Sequence, residues 1–177
     1  MSFQYYLADP TQKWYYDQIK RPDSIENAVD NFYLNLLPDY FKKRLGYGIE
    51  QESRPLPEIT KQRSDFTIRF IRNGDLKKVV LMEDRRKDTE SSIVEWEKAL
   101  GQLTTYLKLI RAEAQQDSTQ TLYASVNIGT YIRFYQLDAY KVECIDFPGT
   151  NGKAFELAAD EESVRNYLEE WVRLTSH

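Results

Sequence analysis

Cysteine and histidine are almost missing from this chain of 177 residues: there is one of each, Cys144 and His177. A lone cysteine excludes an intramolecular disulfide framework and fits a reducing compartment. With the single histidine at the last position, a Cys/His zinc site is excluded. A Cys–His pair and a Ser–His–Asp triad are excluded with it. No apolar run approaches the ~18 residues that cross a bilayer. The opening MSFQYYLADPTQKW carries neither an apolar h-region nor a cleavage signature. The expectation is an intracellular protein, in cytoplasm or nucleus, with no membrane partner. Any chemistry must rest on carboxylates, Lys/Arg, Tyr or a hard metal ion.

What is present suits one domain over residues 1–177, long enough to close a hydrophobic core. Hydrophobic residues make up 41% and charged residues 29%, the balance of an ordinary globular chain. Thirteen tyrosines raise the aromatic share to 14%, and tyrosine suits half-buried margins, clefts and interfaces. The net charge of −4 is unevenly spread. From Lys61 to Lys87 there are nine basic residues against four acidic ones, a surplus of five, so the rest of the chain carries −9. Such a zone focuses a polyanion onto one face, or is simply a solvated strand face.

Residues 1–22 are rich in aromatics with weak periodicity and read as a peripheral N-terminal arm or short helix packed over the main body. Asp23 and Ser24 then supply a helix N-cap, and Ile25, Ala28, Val29, Phe32 and Leu36 follow at helical spacing. Pro38 ends this helix or opens a short second one through Leu45. A strand is placed near Ile49, and a loop at Arg54-Pro55-Leu56-Pro57. Phe66, Ile68 and Phe70 alternate with Asp65, Thr67 and Arg69 as a half-buried strand, and Asn73-Gly74 marks a hairpin turn. The returning strand, Lys78 to Met82, has the continuous apolar run of a strand buried on both faces. Trp96, Leu100, Leu103, Leu107 and Ile110 form one stripe of an amphipathic helix. Leu122, Ala124, Val126 and Ile128 alternate as the next strand, which Gly129-Thr130 turns into Tyr131–Leu137. The core is thus expected over 23–137. A strand at Val142–Phe147 and a last helix capped by Asp160 occupy 138–177. The order indicates an α/β or α+β layering around a central mixed sheet flanked by helices.

The hairpin and the following helix hold the groups that could do chemistry. Asp65 opens one strand and Glu83 closes its partner. Alternation puts Glu83, Arg85 and Lys87 on one face and Asp84 and Arg86 on the other. Paired carboxylates suit Mg²⁺ or Mn²⁺, which lower the pKa of bound water, and adjacent cations hold a phosphodiester. Gln102 and Tyr106, spaced i, i+4, flank the apolar stripe of the helix.

Asp65-Phe66, then Val79-Val80-Leu81-Met82-Glu83-Asp84-Arg85, then a helix with Gln102-x-x-x-Tyr106, resembles the PD-(D/E)xK nuclease superfamily over roughly residues 25–135. The resemblance implies an αβββαβ core of restriction-endonuclease-like type. It implies Asp65 and Glu83 as metal ligands for Mg²⁺ or Mn²⁺ and, with Arg85, Lys87 and Gln102, as the catalytic set. Arg63, Arg86 and Tyr106 are the residues it suggests for substrate binding, and Glu26 is a candidate for an additional helix carboxylate. The chain departs from the motif in two places. Ser64 stands where a proline often precedes the first Asp, and Arg85 stands where the motif has lysine. An arginine stays protonated and cannot serve as a base, although it can hold a phosphate bidentately. Two functions follow as expectations: metal-dependent hydrolysis of DNA or RNA, or a catalytically inactive module that binds nucleic acid or protein. A homodimer is left open, and a basic hairpin that is merely solvated is the plain alternative.

Overall fold

In a computed structural model, residues 5–53, 64–113 and 119–177 are described, apart from the side chains of Glu26, Ser53 and Arg72. The proline-rich loop expected at 54–57 lies outside them. Helix α1 (Pro10–Lys20) starts where Asp9 accepts from the amides of Thr11 and Gln12 at 2.7 and 3.2 Å, with Pro10 in the first turn. The aromatic segment expected as a peripheral arm is part of the core. Tyr6, Tyr16 and Ile19 are buried in one large cluster, and the buried Gln12 amide donates to Phe32 O at 3.1 Å.

That bond ties α1 to α2 (Glu26–Tyr40). The N-cap of α2 is Ile25, with no side-chain hydrogen bond, so Asp23 and Ser24 do not cap it. Pro38 lies inside the last turn, which nevertheless continues to Tyr40. The strands are β1 (Tyr47–Ser53), β2 (Ser64–Arg72), β3 (Asp75–Arg85), β4 (Leu122–Ile128), β5 (Tyr131–Leu137), β6 (Ile145–Asp146) and β7 (Phe155–Glu156). Helix α3 (Ile93–Arg111) joins β3 to β4, and α4 (Glu161–Thr175) closes the chain. Among the described residues the sheet runs β1-β2-β3-β4-β5-β6, with β7 also on β5. All pairs are antiparallel except β3–β4. The chain is therefore α/β, with a mixed sheet between four helices and the order α2-β1-β2-β3-α3-β4 through its centre.

Strand β3 has a neighbour on each side, and Lys78 through Asp84 are buried without interruption. Its apolar run follows from that central place. Between Ile68 and Arg69 the register slips, so Val79 is the extra residue of a β-bulge. Val79 and Val80 consequently enter the same cluster, under α1, α2 and α4, while Leu81 enters the other, under α3. The strand expected at Val142–Phe147 shrinks to Ile145–Asp146. Asp160 occupies the N-cap position of α4, yet its carboxylate points backwards. It accepts from Glu156 N at 2.9 Å and from Lys153 Nζ at 2.7 Å. Among the described residues no helix is long and apolar enough to cross a membrane.

Candidate functional site

Past the bulge, alternation sends Leu81, Glu83 and Arg85 toward α3, and Met82 and Asp84 toward α2. The pairing Phe66↔Met82, carried one residue further, sets Asp65 across from Glu83. Asp65 Oδ2 accepts from Asp84 N at 2.7 Å, which pins its carboxylate to the end of β3. The structure thus brings Asp65 and Glu83 together on the α3 face, near the end of β3.

Arg85 spans this place. Its Nη2 lies 2.5 Å from Glu83 Oε1 and donates to Gln102 Oε1 at 2.6 Å, while Nη1 donates to Asp84 O at 2.8 Å. Glu83 is 2% exposed and the Arg85 side chain 18%. Gln102 passes the network on, since its Nε2 donates to Tyr106 OH at 2.7 Å. Burial, opposed by this Gln102 bond and reinforced by Glu83 and Asp65, holds the Tyr106 phenol above its ordinary pKa, so it stays neutral. Gln102 and Tyr106 meet here because the i, i+4 step stacks them on the α3 flank that faces β3.

The remaining candidates go elsewhere. Strand β3 ends at Arg85, and Lys87–Thr89 form a short 3₁₀ turn. The alternation expected to carry Lys87 onto the site face is therefore broken. Its ammonium instead donates to Lys20 O at 2.7 Å, satisfying a carbonyl at the C-terminal end of α1. Arg86 is half exposed and sits 3.6 Å from Asp88. Arg63 and the side chain of Glu26 lie outside the described residues.

A second polar group on the opposite face of β3 was not anticipated. Asp84 is fully buried, and its Oδ1 accepts from Asn127 Nδ2 at 2.7 Å. Burial first, then the charges of Asp65 and of Asp30 on α2, push the Asp84 carboxyl well above the usual carboxylate range. The sequence held one signal of it: Asn127 interrupts a strand otherwise made of small and apolar residues.

Compared with protein-family models, with curated proteins and with solved structures, the chain matches none. The geometry alone therefore tests whether a divalent ion suits the site. Mg²⁺ requires oxygen ligands at about 2.1 Å in near-octahedral array. On this face the oxygens would come from Asp65, Glu83 and the Asp84 carbonyl. Arg85 already holds Glu83 Oε1 and Asp84 O, and its charge does not titrate away. Among the described residues no group of three His, Cys, Asp or Glu side chains is arranged to hold a metal. In this arrangement Arg85 competes for two of the oxygens that Mg²⁺ or Mn²⁺ would use.

Proposed function

We propose that this chain is a PD-(D/E)xK-like scaffold in which a built-in guanidinium has taken the metal's place, and that it works as a binding module. The observation that carries this reading is the three-way grip of Arg85 on Glu83, the Asp84 carbonyl and Gln102. A lysine at this position has one nitrogen and could lose its proton when its pKa is depressed. The guanidinium has five donors, keeps its charge and neutralises the acid permanently. Arg85 thus cannot supply the base that a lysine at this position would offer. Lys87, which would be the substitute base, is bound to the end of α1.

The opposition of Asp65 and Glu83 supports a second reading, metal-dependent phosphodiester hydrolysis of DNA or RNA. It requires Arg85 to leave both oxygens when the ion arrives. Incubating single- and double-stranded DNA and RNA with Mg²⁺ or Mn²⁺ separates the two. The module reading expects no cleavage by the wild type, and metal-dependent cleavage by Arg85→Lys that Asp65→Ala removes again. Wild-type cleavage that disappears in both Asp65→Ala and Glu83→Ala would establish the hydrolase instead.

A further inference from the structure

Strand β1 is an edge of the sheet among the described residues, paired only with β2. Beside it opens a cleft of about 430 Å³ between the end of α2 and β1. Leu34, Pro38, Phe41, Tyr47 and Ile49 make its apolar part. Leu34 is 40% exposed, although Val29, Phe32, Leu36 and Leu37 of the same helix are fully buried. The rim is cationic: Lys42, Lys43 and Arg44 follow one another, all exposed, and none forms an ion pair among the described residues. The acidic residues of β1 do not cancel this charge. Tyr47 and Ile49 share the cleft side of the strand, so alternation turns Glu50 to the other side, where it is bound by Arg69 at 2.6 Å.

An open strand edge offers backbone donors and acceptors in a row, which an extended chain can extend as one more strand. The side chains of such a chain alternate, so every second one would enter the apolar cleft. Three exposed cations at the rim, with only Asp39 near Lys42 to oppose them, select carboxylates for positions near its end. We infer that β1 and this cleft are a docking site for an extended segment of a partner protein that combines apolar residues with Asp or Glu. The apolar lining favours a peptide over a nucleic acid, whose phosphates would gain little from Leu34 and Pro38. Glu52, at φ 50°, interrupts the extended run, which leaves Tyr47–Gln51 as the regular part of the edge. This inference goes beyond the reading of the Arg85 site and stands whether or not that site hydrolyses anything.

Fluorescence anisotropy with a labelled peptide of about ten residues alternating Leu and Glu tests it on the full chain. The wild type should bind this peptide, bind the Leu/Lys counterpart far more weakly, and lose affinity as salt rises. Reversing the rim with Lys42→Glu, Lys43→Glu and Arg44→Glu together should cost at least about tenfold in Kd. Leu34→Asp, a change at a half-exposed position, should cost a similar factor, with the melting temperature of each variant as the folding control. Hydrogen exchange should slow at the amides of Tyr47–Gln51 when peptide is bound. The inference is overturned by no peptide binding, by variants that bind as the wild type does, or by protection appearing elsewhere. It is equally overturned if a single- or double-stranded oligonucleotide binds more tightly than the peptide and depends on the same three cations.

Discussion

If Arg85 stands in for a metal ion, removing its charge should make the protein depend on one. Arg85→Met keeps most of the side-chain volume and deletes the guanidinium from beside a carboxylate that is 2% exposed. Three contacts go with it, to Glu83, Gln102 and the Asp84 carbonyl. Breaking a buried pair from one side costs about 3–5 kcal/mol. Because the Arg85 side chain retains 18% exposure, water relieves part of that penalty and about 3 kcal/mol is the expected loss. For a chain of this length that lowers Tm by about 6–12 °C. The vacated oxygens of Glu83 and Asp84, with Asp65 beside them, should then accept a divalent ion that binds the folded state alone. At one hundred times its Kd the ion returns about 2.7 kcal/mol. Denaturant melts of wild type and variant, with and without Mg²⁺ or Mn²⁺, provide the comparison. The wild type should be indifferent to the metal and the variant should recover most of its loss. Glu83→Gln/Arg85→Met should be nearly as stable as the wild type without metal and gain nothing from it. An Arg85→Met loss below about 1 kcal/mol would refute the reasoning, as would equal stabilisation of wild type and variant by the ion.

Two further outcomes follow from groups outside this network. Because the folded state holds the Asp84 proton more tightly than the unfolded chain does, its contribution to stability is fully present below the unfolded carboxyl pKa. That contribution falls as pH rises toward the raised folded value, so Asp84→Asn, which keeps the Oδ1 acceptor for Asn127, should stabilise increasingly with pH in urea melts from pH 4 to 8; a flat difference would contradict it. Gly129 has φ 57°, and a Cβ there would meet the Glu90 carboxylate at 2.0 Å, which accepts from Thr130 N at 2.9 Å. Gly129→Ala should therefore cost about 2 kcal/mol, from left-handed strain and the displaced acceptor, and a thermal shift under about 2 °C would show the turn to be more tolerant.

The elements that could be read from the sequence are those whose pattern is local. Phe66, Ile68 and Phe70 alternate because one face of β2 enters the large cluster while Asp65, Thr67 and Arg69 lie on the other, and Asn73-Gly74 closes its hairpin. Gln102 and Tyr106 reach the site because a helix puts i and i+4 on one flank. The unread features depend on residues far apart in the chain. Nothing local tells that β3 stops at Arg85, so Lys87 looked like a neighbour of Glu83 when it in fact closes α1. The bulge at Val79 is a property of two strands together. The burial of Asp84 needs Asn127, delivered by a parallel strand after a long crossover. The cap of α1 was legible in Asp9-Pro10, but the aromatics around it obscured the helix.

The one parallel pairing among the described residues also sets an order of events. Strands β2 and β3 can meet through a two-residue turn, whereas β3 and β4 are joined only after α3 has been crossed; Leu81 pairs with Ala124. Short-range contacts close before long-range ones. Asp65, Glu83 and Arg85 can therefore assemble on the nascent hairpin while Asp84 still faces water. Its desolvation is complete only once α2 covers it and the crossover delivers Asn127. Raising the pH above the unfolded carboxyl range should consequently slow this later step and spare the hairpin, because one aspartate must take up a proton as it is buried.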